Sequence, residues 1–181
     1  MGKKVKKKEF ELAPEGTHPA IITAIADLGE QLSNWEGKER HVYKWGVGFE
    51  LSGPETTAGT PFSIATTVTD SLHSKSRLYP IVKAARGTVA DELDMEDLVG
   101  KKVLVTVEHD EKDEKTWANV EQVTGLPTGM DVADTETPLL YFDLDTPDAG
   151  IYEKLPALFK KRIEERVQQA AVPGFDDDVP C

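Results

Sequence analysis

Apolar and polar residues alternate along several stretches of this chain. "RHVYKWGVGFEL" sets His41, Tyr43, Trp45, Val47, Phe49 and Leu51 on one side. Arg40, Val42, Lys44, Gly46, Gly48 and Glu50 fall on the other. A period of two marks a half-buried strand. "TPFSIATTVT" repeats the pattern with Phe62, Ile64, Thr66 and Val68 in one register. Upstream, "THPAIITAIADL" is rich in Ile, Ala and Thr and follows the turn signal Pro14–Gly16. "KKVLVTVEHD" and "TWANVEQVTG" read as two further strands, and the polar "EKDEK" between them predicts a hairpin.

Helical spacing breaks this pattern. In "SKSRLYPIVKAARG", Leu78, Ile81, Val82 and Ala85 form an inner stripe and Gly87 is a stop signal. Pro80 cannot sit deep in a helix, so the helix must begin close to it. "DMEDLVG" predicts one more helical turn. Residues 126–150 mix prolines with acids and have no useful period, which predicts an acidic linker. Over 151–172, Leu155, Leu158, Phe159, Ile163 and Val167 share one face, which predicts an amphipathic helix with Pro156 in its first turn. Residues 173–181 have nothing to bury and are expected to stay disordered.

Three strands, a helix and a two-strand hairpin follow the element order of an OB-fold, a five-stranded, partly open barrel with its helix between strands three and four. A generic sandwich explains the strands equally well but not a single helix at that place. The expected fold is therefore mainly β, with the barrel over residues 10–125.

Charge sharpens the division. The net charge is −12, yet residues 1–8 carry five lysines and no acid, so residues 1–9 read as a basic arm. Residues 126–181 hold twelve acids against five bases, and the opposite-sign ends read as appendages to the core. The one cysteine, Cys181, excludes an internal disulfide and suits a reducing cytoplasm. No apolar run has membrane-span length, and the basic N-terminus lacks the apolar stretch of a secretory signal.

Catalytic patterns are missing from the sequence. His18, His41, His73 and His109 show no metal-ligand spacing. "EHDEKDEK" lacks the glycine and spacing of a calcium loop. There is no glycine-rich phosphate loop and no nucleophile elbow. The expectation is a non-enzyme without metal or cofactor.

Binding of single strands fits better, because cations track phosphates and aromatic faces stack bases. The loop "LSNWEGKERH" carries Trp35, Lys38 and Arg40 around turn residues. In the second strand, Lys44 lies beside Gly46 and Gly48, whose bare surface would let a base lie flat. Tyr43 and Trp45 either point inward with Val47 and Phe49 or are turned outward by a bulge at those glycines. Lys75 and Arg77 in "SLHSKSR" stand at a helix N-terminus with serine hydroxyls and free N–H groups, a candidate phosphate site. Trp117, near Lys115, is a second candidate clamp.

Three stretches, "PEGTHPAIITAIADLGEQ", "WEGKERHVYKWGVGFEL" and "TDSLHSKSRLYPIVKAARG", resemble bacteriophage-encoded single-stranded DNA-binding proteins of the OB-fold type. Many of those have Trp where this chain has Ala85. The terminal "FDDDVPC" is similar to the acidic tip of bacterial single-stranded DNA-binding proteins, which reads Asp-Asp-Asp-Ile-Pro-Phe; here Cys181 stands at the end. The resemblance implies a non-enzymatic protein that coats single-stranded DNA in phage replication or recombination, in the cytoplasm of a bacterial host. It implies that Phe175, Asp176, Asp177, Asp178, Val179 and Pro180 recruit replication and repair proteins. A homo-oligomer is neither required nor excluded. The competing expectation is an acidic interaction factor, such as a DNA mimic that inhibits a host nuclease.

Overall fold

The computed structural model describes residues 11–167. The basic arm 1–9 and the acidic tail 173–181 lie outside the described residues. The chain is mainly β, with six strands in one open sheet and three helices. Strands β1 (Gly16–Trp35), β2 (Lys38–Glu55) and β3 (Pro61–Thr69) come first, then α1 (Leu78–Arg86). A 3₁₀ turn (Met95–Leu98) leads to β4 (Lys102–Lys112) and β5 (Lys115–Thr124). Finally come β6 (Leu140–Phe142), α2 (Ala149–Lys154) and α3 (Ala157–Glu165). The strand order is β3-β2-β1-β4-β5, with antiparallel neighbours throughout, and β6 adds to β1 in parallel.

The stretch expected to loop between the first two strands is instead a β-hairpin arm. β1 continues to Trp35 and β2 starts at Lys38, leaving a two-residue turn of Glu36 (φ 51°) and Gly37 (φ 79°). Two positive φ values in a row match the right-handed twist of the flanking strands, so the arm can run on unbroken. The second hairpin, β4–β5, turns the same way on Asp113 and Glu114.

β2 keeps the regular alternation read from its sequence. The two irregularities lie in its partner: Thr23 and Leu28 of β1 are each unmatched across the ladder. Each extra residue reverses which side the following residues face. One face of the β1–β2 pair therefore carries Ile22, Ile25, Val47, Phe49 and Leu51. It closes over Ile64 and Val68 of β3, Val103 and Val105 of β4, Val120 and Val123 of β5, and Leu78, Ile81 and Val82 of α1. This is the main core.

The opposite face of β1 and β2 is also covered. Residues 126–150, expected as a linker, supply β6, whose Phe142 joins Ala24, Ala26 and Leu28 in a second apolar cluster. The single amphipathic helix expected over 151–172 is broken at Leu155 and Pro156, whose extended backbone separates α2 from α3. Leu155, Phe159 and Ile163 are buried in the second cluster, while Leu158 stays 36% exposed.

Phe159 sits in a slot that glycine makes. A Cβ at Gly46 would lie 2.6 Å from Phe159 Cε1, and one at Gly48 would lie 3.2 Å from Ala24 Cβ. Neither glycine has a positive φ, so it is the ring, and not backbone strain, that excludes a side chain at Gly46. The fully buried ring contributes about 1.5–3 kcal/mol. α3 is held further along by Gln31, whose Nε2 donates to the carbonyl oxygens of Leu28 (2.8 Å) and Arg162 (2.7 Å). The Val167 N–H then donates to the Glu30 carbonyl at 2.8 Å.

Gly46→Ala is expected to destabilise the protein by about 1–3 kcal/mol, the usual cost of overpacking. Strand propensity alone would make alanine better than glycine there by about 0.5–1 kcal/mol. Urea unfolding midpoints decide the sign: an unchanged or higher midpoint contradicts the slot.

Candidate nucleic-acid interface

The regular ladder from Trp35↔Lys38 to Gly29↔Lys44 assigns every arm residue to a face, because directly paired residues share a side. Trp35, Ser33, Gln31 and Gly29 of β1 lie with Lys38, Arg40, Val42 and Lys44 of β2. This is the face that α3 covers further along, and we call it the outer face. Glu30 and Leu32 lie with His41, Tyr43 and Trp45 on the inner face, which continues into the main core. The unmatched Leu28 decides this outcome. Without it, Trp35 would stand on the side of Tyr43.

The arm's candidate residues therefore separate by chemistry. On the outer face, Trp35 is 62% exposed, and Lys38 and Arg40 are exposed. Among the described residues none of Lys38, Arg40 and Lys44 has a carboxylate within ion-pair distance. Alternate residues on a strand are about 7 Å apart, so the three positions form a spaced cationic row beside an indole. Lys44 is half-buried, and its ammonium is pushed below the usual lysine range, first by burial and then by the Arg162 and Arg77 guanidiniums.

The inner face is aromatic and acidic. The Trp45 ring stacks on Tyr141 of β6 (centroids 6.4 Å, 22° between planes), and Tyr43 tilts against it at 6.5 Å. Trp45 Nε1 donates to Asp70 Oδ1 at 3.0 Å, and Tyr43 Oη donates to Asp27 Oδ1 at 2.6 Å. Asp27 is 4% exposed, and its Oδ1 also accepts from the Gly29 N–H at 3.0 Å. Burial holds the Asp27 carboxyl above the usual range, although both of those bonds pull it down. The Tyr43 phenol is raised by burial and by Asp27, and more weakly by Asp145 and Asp70. The Tyr141 phenol is raised by burial, then by Asp143, Asp94, Glu96 and Asp27. Six carboxylates thus act on two neighbouring phenols.

The glycine surface offered to a base in the sequence reading is taken by Phe159. The bulge considered at those glycines does not form in β2, so Tyr43 and Trp45 stay on the side of Val47 and Phe49. Ser76 is a capping residue, its Oγ accepting from the Tyr79 N–H at 3.3 Å and donating to the Ser71 carbonyl at 2.7 Å. Arg77 Nη2 donates to the Val120 carbonyl of β5 at 3.0 Å, and Lys75 is exposed in the preceding turn. Trp117 is 39% exposed on the β4–β5 hairpin, paired with Asp110. That hairpin leaves the ladder beyond Gly16, at the other end of β1 from Trp35. Trp35 and Trp117 therefore mark two separate ends of the sheet, and the carbonyl-bonded Arg77 lies between β3 and β5.

Arg162 and Arg166 of the C-terminal segment went unnoticed in the sequence. The signal was there: "FKKRIEER" puts cations one turn beyond an aromatic, and the two glycines of β2 lack anything else to seat it. Among the described residues no group of three or more His, Cys, Asp or Glu side chains is placed to hold a metal ion, and no helix is long and apolar enough to cross a membrane.

Tyr43→Phe takes one donor from a buried carboxylate and is expected to cost about 1–2 kcal/mol near pH 7. The loss raises the Asp27 pKa further, so the folded variant binds more protons than the unfolded chain over a wider range above the ordinary carboxylate value. Its stability relative to the parent must then fall as pH rises from about 4 to 7. Urea midpoints across that range test this; a pH-independent difference contradicts the Asp27 pairing.

Comparison with protein-family models and with curated proteins finds no match to this chain.

Proposed function

We propose that this protein is a non-enzymatic binder of single-stranded DNA that uses the outer face of its β1–β2 arm. The observation that carries the reading is the joint placement of exposed Trp35 with Lys38, Arg40 and Lys44 on one face, free of carboxylate partners among the described residues. A backbone can follow the cations while a base stacks on the indole. The inner face suits phosphate poorly, since Asp27 and Asp70 accept hydrogen bonds from Tyr43 and Trp45 there. Tyr43 and Trp45 then pack the barrel mouth, and stacking falls to Trp35, with Trp117 a separate contact at the far end of β1.

The element order and the meeting of β3 with β5 support reading the sheet as a partly open OB barrel. β3 and β5 approach each other without a ladder among the described residues, and α1 lies between β3 and β4 in sequence. In this reading the lysine-rich arm 1–9 adds phosphate contacts that do not depend on base sequence. The acidic segment 173–181 recruits cationic sites on replication and repair proteins, and the setting is phage DNA replication or recombination in a host cytoplasm.

Titrating the full chain with oligo-dT at low ionic strength is expected to quench tryptophan fluorescence and retard the oligonucleotide in a gel. Trp35→Ala is expected to weaken binding by about tenfold, within the range of one stacked base, about 1–3 kcal/mol. Trp45→Phe should leave the affinity unchanged. Folded protein that neither quenches nor retards oligo-dT contradicts the reading.

A further inference from the structure

We infer that the lysine-rich segment 1–8 docks in an acidic cleft at the far end of β2, where the buried Glu50 carboxylate receives one of its ammonium groups. This goes beyond the proposed DNA site, which lies at the opposite end of β2.

The cleft has a volume of about 490 Å³ and lies between the end of β2, the start of β3 and residues 133–137. Four carboxylates line it: Glu50, Glu55, Asp134 and Glu136. One of them is matched, since Asp134 Oδ1 lies 3.1 Å from Lys102 Nζ. Among the described residues the other three have no ion-pair partner. Glu55 and Glu136 are exposed, so water compensates their charge. Glu50 differs. It is 8% exposed, its Oε1 accepts from the Thr137 hydroxyl, and among the described residues its Oε2 has no donor. A carboxylate buried with one neutral hydrogen bond is costly unless a cation comes to it.

The acids are spread along the cleft. Among the described residues no three of them are placed around a single ion, so several spaced cations match them better. Residues 1–8 carry five lysines and no acid. Lysine stems can lie along Pro54 and Pro61 of the cleft while their ammonium heads reach the carboxylates.

The described chain also enters beside this cleft. Ala13 is buried, and its carbonyl bonds the His109 ring at 2.7 Å. Glu11 then accepts from the Thr57 N–H at 2.9 Å and from the Thr57 hydroxyl at 3.0 Å. Thr57 stands in the β2–β3 turn, just past Glu55, and the Thr56 N–H closes that turn on the Thr60 carbonyl at 2.8 Å. At about 3.3–3.6 Å per extended residue, Lys8 stays within about 11 Å of Glu11 and Lys3 within about 29 Å. All five lysines therefore reach the cleft. Without nucleic acid the segment and the cleft neutralise each other, and phosphate contacts by residues 1–9 require the segment to leave.

The test uses the full chain without DNA at low ionic strength, as an equal mixture of isotopically light and heavy protein. A carbodiimide joins ammonium and carboxylate groups in contact, and mass spectrometry identifies the pairs. Links from the lysines of residues 3–8 to Asp134 and Glu136 are expected, within one chain. Glu15, near in sequence and bonded to the His109 N–H away from the cleft, gives the background from tethering. Glu50→Gln keeps the shape and the acceptor for Thr137. It should lower the Asp134 and Glu136 links about tenfold, the worth of one charge-assisted hydrogen bond. Links between light and heavy chains would assign the cleft to a second copy and overturn the inference. Links at Asp134 and Glu136 no more frequent than at Glu15 would leave the cleft to a basic partner and overturn it as well. So would links that Glu50→Gln does not change. With no DNA present, these results leave the proposed DNA site standing, and a failure to bind oligo-dT leaves the docking standing.

Discussion

One ring in a glycine slot organises the outer half of this protein. Phe159 fits because Gly46 has no side chain, and it draws α3 onto the back of a strand whose front already belongs to the main core. β2 is therefore buried on both faces over Gly46–Leu51 and exposed over the arm. The edge of α3 divides the two. On the arm side of that edge, the outer face of β2 is open to a ligand from Lys38 to Lys44.

The arm also separates charge by side. Its outer face holds lysines and arginine around an indole, and its inner face holds aromatic rings among carboxylates. At physiological ionic strength unscreened interactions reach only about 8 Å, so a local cationic row keeps its attraction for phosphate inside a molecule that is anionic overall. The carboxylates serve the opposite purpose. They occupy the hydrogen-bonding groups of Tyr43 and Trp45 and make that side a poor place for a phosphate backbone. A polyanion approaching the arm has one face open to it.

Much of this was legible in the sequence, and the part that was not has a physical cause. The alternation in β2 survives intact from Lys38 to Glu50 because β2 carries no unmatched residue over that stretch. Helix α1 matches its stripe and its Gly87 stop, whose N–H closes on the Lys83 carbonyl. The 3₁₀ turn follows its own local signal, with the Asp94 side chain accepting from the Glu96 N–H. The face taken by Trp35 was hidden, because a single unmatched Leu28 reverses the parity and no local pattern announces it. β6 was hidden because three residues are too few to show a period, and pairing with β1 is what makes them a strand. The use of Gly46 was misread for a related reason: a bare strand surface invites any flat ring, and the chain supplies its own.

The central claim is that nucleic acid lies on the outer face of the arm and not on the inner one. Side-chain oxidation footprinting of the full chain, with and without oligo-dT, measures this residue by residue. The account predicts that Trp35 is protected by oligo-dT while Leu32 and Tyr43, a few residues away on the opposite face, keep their rates. Protection of Leu32 and Tyr43 with Trp35 unchanged would contradict it.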